Sequence, residues 1–172
     1  TVRDVDIGIV LGGANSIVPG GSITAATTRG VTGISVENSD TVITGCTVVS
    51  SRNVFAGETP VGISIGSSNV KVSNCLIRGW QNFAGSLGAG ISTAGGAAQI
   101  TVDATTIVGC WSGFVTPSAV AADEVTLSGC TFRNTDQDAV YFSNSNRVRV
   151  SDCTLINPGS TDAVYIENGT DI

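Results

Sequence analysis

The chain has 172 residues, enough for one domain of ordinary size. Its net charge is −6, and its eight Lys plus Arg are scattered singly, which excludes a basic footprint for nucleic acid and disfavours anionic membranes. Charged residues make up 13% against roughly 25% in an average domain, and no apolar run is long enough for membrane insertion.

In chain order, Thr1–Ile7 reads as the tail of a coil, with Val5 in the place that Cys46 takes later. Residues 8–30 read as a glycine-rich irregular connection, an insertion that holds two short strands at Ser16-Ile17-Val18 and Ser22-Ile23-Thr24. From residue 41 an eight-residue phrase recurs. It is Thr41-Val42-Ile43-Thr44-Gly45-Cys46-Thr47-Val48, then Val70 to Ile77, Ile100 to Ile107, Val125 to Phe132 and Val148 to Leu155. Each copy alternates as a half-buried strand, inserts one extra residue, and resumes its inward phase at Cys or Thr. The copies open at residues 41, 70, 100, 125 and 148, at spacings of 29, 30, 25 and 23 residues.

A second phrase lies between the copies: Gly33-Ile34-Ser35-Val36, Gly62-Ile63-Ser64-Ile65, Gly90-Ile91-Ser92-Thr93, Ala139-Val140-Tyr141-Phe142 and Ala163-Val164-Tyr165-Ile166. Three short strands per repeat and a period in this range define a solenoid. No window shows a sustained helical period. The pattern resembles the right-handed parallel β-helix of the pectate-lyase-like superfamily, which includes polygalacturonases and many bacteriophage tailspikes. The expected fold is therefore all-β, a right-handed parallel β-helix of about six coils with three short strands each. Residues 1–172 form one β-helix segment. Neither end reads as a cap, so an internal part of a longer chain is expected.

Cys46, Cys75, Cys130 and Cys153 share one inward position, and Cys110 falls outside that column. With no histidine and no Cys-x-x-Cys pair, zinc is not expected. The thiols read as small core hydrophobes stacked in file. Unbridged stacked thiols fit folding in a reducing cytosol. Asn and Ser cluster after the second phrase, at Asn38-Ser39, Ser67-Ser68-Asn69, Asn144-Ser145-Asn146 and Asn168-Gly169, as residues that suit turns and a stacked amide ladder.

The connectors after the Cys-type strands vary in length and emerge along one edge. Trp80, Trp111, Phe55 and Phe83 lie in them, either as a binding surface or as packing for the corner. Arg133-Asn134-Thr135-Asp136-Gln137-Asp138-Ala139-Val140-Tyr141 is the stretch richest in chemistry. Asp138 and Asp162 occupy equivalent positions one coil apart, and so do Tyr141 and Tyr165. Paired carboxyls can act as acid and base on a glycosidic bond, and tyrosine rings can meet the C–H faces of sugars. The competing reading for these acids is turn chemistry, in which short side chains bond the backbone. Glu37 and Glu167 read as solvated.

Asn134-Thr135-Asp136 also looks like the Asn-Thr-Asp motif of polygalacturonases, which implies a catalytic role for Asp136. The family's Asp pair on the next coil has only Ser160 and Asp162 here. Its Gly-His-Gly motif has no counterpart in a chain without histidine, and the single lysine is Lys71, far upstream. A calcium site needs about 6–8 oxygen ligands, which this spacing does not assemble. The expectation is a tailspike-like protein that binds and cleaves a bacterial surface polysaccharide, as a glycoside hydrolase or a lyase, without a cofactor or metal. Asp136, Asp138 and Asp162 are the candidate catalytic carboxylates; Tyr141, Tyr165, Trp80, Trp111 and Arg133 are the candidate substrate-binding residues. Tailspike resemblance implies a homotrimer on a virion tail or at an extracellular surface. The alternative is a non-catalytic structural or adhesive stalk.

Overall fold

The computed structural model describes residues 2–3, 7–25, 32–50, 59–81, 88–93, 95–117, 122–159 and 162–169. Phe55 and Phe83 lie outside the described residues. The chain runs through β1 (Val2–Arg3), β2 (Ile7–Leu11), β3 (Ile17–Ala25), β4 (Thr32–Val36), β5 (Thr41–Ser50) and β6 (Val61–Ile65). It continues through β7 (Val70–Ser73), β8 (Leu76–Arg78), β9 (Ala89–Thr93), β10 (Ala98–Asp103), β11 (Thr106–Val108) and β12 (Ser112–Thr116). It ends with β13 (Asp123–Ser128), β14 (Thr131–Arg133), β15 (Val140–Ser143), β16 (Asn146–Ser151), β17 (Thr154–Ile156) and β18 (Val164–Glu167). The described residues contain no helix long and apolar enough to cross a membrane.

All pairings are parallel, each strand with its counterpart one coil away. Sheet A has eleven strands and two legs. In the first leg β5, β7, β10, β13 and β16 stack; in the second, β5, β8, β11, β14 and β17. Sheet B stacks β2, β4, β6, β9, β12, β15 and β18. This is the parallel β-helix expected from the two phrases.

The first coil differs from the expectation. Residues 17–25 are not strands inside an insertion but one continuous strand, paired with β5 from Ile17↔Val42 to Ala25↔Ser50. That makes Ser16 to Ile23 a further copy of the phrase, with Gly21 opposite Cys46. Ile7–Leu11 is a sheet-B strand in register with Thr32–Val36. Val2 pairs with Ile23, so it is the counterpart of Val48; Val5 lies outside the described residues.

Three bends close each coil and all rest on left-handed backbone; entering the first leg the residue is Asn15, Asp40, Asn69, Gln99, Glu124 or Arg147. Between the legs the extra residue is Gly45, Asn74, Ala104, Gly129 or Asp152, with φ of 65°, 53°, 44°, 59° and 55°. After the second leg it is Gly79, Gly109, Asn134 or Asn157, with φ of 76°, 60°, 52° and 51°. Gly and Asn are the residues that adopt this region at least cost. The corners bond from coil to coil. Asn69 Nδ2 donates to Asp40 Oδ1, Asn146 Nδ2 to Asp123 Oδ1 at 2.9 Å, and Ser39 and Ser67 share a hydroxyl contact of 2.9 Å. Asn157 Nδ2 donates to Asn134 Oδ1 at 3.2 Å, the one amide-to-amide pair of these.

The thiols stand where the first bend returns to the core. Cys46, Cys75 and Cys130 are buried and Cys153 is half-buried. Each S–H points back over the bend to the carbonyl two residues earlier: Cys75 to Ser73 at 3.2 Å, Cys153 to Ser151 at 3.3 Å, Cys130 to Ser128 at 3.4 Å. Thr105 takes the position in the fourth copy, and its hydroxyl donates to the Asp103 carbonyl at 3.0 Å. A small side chain with one donor is therefore what the position selects. Cys110 belongs to a second column. It follows left-handed Gly109 as Trp80 follows Gly79 and Thr135 follows Asn134, and it is fully buried.

Sheet B opens on the small-residue column Gly33, Gly62, Gly90, Gly113 and Ala139. A Cβ on Gly62 would lie 2.5 Å from the Gly90 carbonyl oxygen and 2.5 Å from Ile77 Cγ2. The backbone of sheet B thus passes directly over the second leg of sheet A. Beyond that column Ile34, Ile63, Ile91, Phe114 and Val140 fill the interior.

Burial raises the Cys75 and Cys130 thiols from the ordinary 9.0 to about 11, and Cys110 to about 12. A folded pKa above the unfolded value gives stability that is complete below pH 9 and lost as pH rises through 11 and 12. The denaturation midpoint should decline above pH 9, and Cys110→Ala should show a shallower alkaline decline. Equal slopes in the two proteins would refute this account. Gly62→Ala should lower stability by about 1–3 kcal/mol through overpacking, read by urea denaturation.

Candidate functional site

The outward residues of β15 and β18 form the most chemically differentiated surface. Tyr141 and Tyr165 pair in register, and their rings stack with centroids 5.5 Å apart and planes 8° apart. Two positions on, Ser143 pairs with Glu167. The Tyr141 hydroxyl donates to Glu167 Oε2 at 2.8 Å and Ser143 Oγ donates to the same oxygen at 3.3 Å. This bond to a carboxylate holds the Tyr141 proton and raises its pKa above the ordinary 10.0. Glu167 is thus a fixed acceptor rather than a merely solvated acid. Sequence reading passed over it, although its place two residues after the second tyrosine carried the signal.

Asp138 and Asp162 stand two residues before Val140 and Val164, which pair in register. Asp138 is half-buried and its carbonyl accepts from Gly113 N at 3.2 Å; Asp162 is exposed. Asp136 lies apart from them on the preceding corner. It is exposed, and its N–H donates to the Cys110 carbonyl at 3.1 Å.

The aromatic and basic candidates separate. Trp80 is completely buried, its Nε1 donates to the Val48 carbonyl at 3.2 Å, and its ring lies against Gly33 and Gly62. It offers no face to a ligand; the left-handed turn at Gly79 directs it into the core. Trp111 is half-buried on the same corner, with its N–H donating to the Trp80 carbonyl at 3.2 Å. Arg133 is exposed at the end of β14, on sheet A rather than beside the tyrosines. The tyrosines turn their faces to one another. What the pair presents outward is ring edge, hydroxyl and the outer face of Tyr165, which is 40% exposed. Among the described residues, no group of three or more His, Cys, Asp or Glu gathers to hold a metal ion.

A parallel coil with a carboxylate and tyrosine face on one sheet defines a β-solenoid protein. The chain belongs to the family described as "Right handed beta helix region", whose model matches residues 7–172, and this gives the coil its right hand. No curated protein and no solved structure matches it.

Trp80→Ala should cost about 3–5 kcal/mol, as expected for a large buried aromatic. Tyr141→Phe should cost about 0.5–1.5 kcal/mol by loss of its bond to Glu167. Thermal unfolding measures both. A Trp80→Ala protein with unaltered melting would place that ring outside the core.

Proposed function

We propose that the protein is tailspike-like: it binds a bacterial surface polysaccharide along sheet B and cleaves it with carboxylates of that face. The observation that carries this reading is Glu167, held by the Tyr141 and Ser143 hydroxyls on an outward strand face beside a tyrosine pair. Asp138 and Asp162 enter the same two strands one coil apart. Hydrolysis needs one carboxyl to protonate the leaving oxygen and a second to activate water or attack the anomeric carbon. Asp138 and Asp162 are assigned those roles, with Asp136 on the neighbouring corner as the third candidate. Tyr141 and Tyr165 line the sugar path, and Trp111 and Arg133 border it at the corner. The corresponding setting is a homotrimer on a virion tail or at a cell surface.

A non-catalytic stalk is the second reading, and one observation favours it. The tyrosine faces and the Ser and Asn side chains of the corners satisfy each other from coil to coil, which is what a plain rod requires.

The two readings part in one experiment: incubation of the chain with capsular and O-antigen polysaccharides. New reducing ends without ultraviolet absorbance indicate hydrolysis, and absorbance from an unsaturated sugar indicates a lyase. Asp138→Asn and Asp162→Asn should each abolish cleavage in a protein that still folds. Unchanged turnover in both removes them from the mechanism. Binding and cleavage of no polysaccharide leaves the stalk.

A further inference from the structure

The described cations of the coil lie on one of its two sheets. Every Lys and Arg among the described residues, Arg3, Lys71, Arg78, Arg133, Arg147 and Arg149, lies on a strand of sheet A. None lies on the seven strands of sheet B. Among the described residues, the charged groups on sheet B or within two residues of its strands are carboxylates: Glu37 directly after β4, Asp138 and Asp162 before β15 and β18, and Glu167 within β18. Glu167 is bonded by two neutral hydroxyls. The rest of the outward column that ends in the tyrosines is uncharged: Val10, Ser35, Ser64, Ser92 and Val115, continuous by register with Tyr141.

We infer that the glycan accepted by sheet B is neutral or carries amino groups, and that polymers of uronic or sialic acid are excluded from it. This rests on the polysaccharide-binding reading above. Carboxylates repeated along an acidic polymer would lie within about one Debye length, roughly 10 Å at 0.1 M salt, of like charges, and among the described residues the strands of sheet B hold no counter-charge, Arg133 standing off them at the corner on β14. A neutral sugar meets serine and tyrosine hydroxyls, acceptors at Asp and Glu, and short apolar side chains. An amino sugar gains an attraction as well. The inference also selects between the cleavage chemistries, because β-elimination starts from a uronate and hydrolysis does not.

The test uses the full chain and a set of bacterial polysaccharides, each acidic member offered both native and after reduction of its carboxyls to alcohols. Binding is measured at about 0.01 M and about 1 M salt, where the Debye length falls from about 30 Å to about 3 Å, with and without calcium. The polymers bound should be neutral or amino-bearing. Any acidic polymer that binds should do so about tenfold more weakly than its reduced form at low salt, and the gap should close at high salt. The double variant Asp162→Asn, Glu167→Gln should narrow the gap at low salt. Tighter binding of a native acidic polymer than of its reduced form, with or without calcium, overturns the inference and leaves the polysaccharide reading standing. Binding of neither form of any polymer removes that reading and the inference with it.

Discussion

Each strand among the described residues is paired in register, across the coil spacing, with its own counterpart. Ile43, Val72, Val102, Leu127 and Val150 form one such file, and their backbones are paired in register throughout. Whatever a position holds is therefore stacked on itself or on a close substitute, roughly 4.8 Å away. Identical aliphatics gain from that proximity, while identical charges repel. The result is a chain low in charge, in which no two Lys or Arg of the described strands pair in register.

The bends obey the same rule. A left-handed residue is costly for most side chains, yet the corner needs one in every coil. Gly45, Gly129 and Asn74 supply it at low cost, and Ala104 and Asp152 accept the strain because the paired strands on either side fix the path. The thiol that follows covers the bend carbonyl from within. The surface chemistry inherits this repetition. Tyr141 with Tyr165 and Asp138 with Asp162 are pairs because the fold duplicates a position, and Glu167 acquires its two hydroxyl partners through the same register.

The fold was legible in the sequence because the phrase repeats with little variation after residue 41. The copy at residues 16–23 escaped notice for a physical reason. Pro19-Gly20-Gly21 has the composition of a loop, and glycine replaces the cysteine that marks the other copies. The cysteine file was visible, whereas the column of Trp80, Cys110 and Thr135 was not. Its signal is a left-handed Gly or Asn immediately before each member, which becomes meaningful only when the coils are aligned on their second strands. At the site, equivalence of the aspartates and tyrosines could be read from spacing. The burial of Trp80 and the bond between Tyr141 and Glu167 depend on side-chain direction, which spacing does not specify.

The hydrogen bonds of both sheets run along the axis of the coil rather than across it, and this fixes how the rod answers force. Tension along the axis opens the bonds of one interface at a time, starting at an end, so the rod peels at a force set by a single coil. Compression instead drives stacked aliphatics and backbone into contacts that are already close, such as those over Gly62, and meets the stiffness of a packed solid. Along its axis the coil therefore resists compression better than tension.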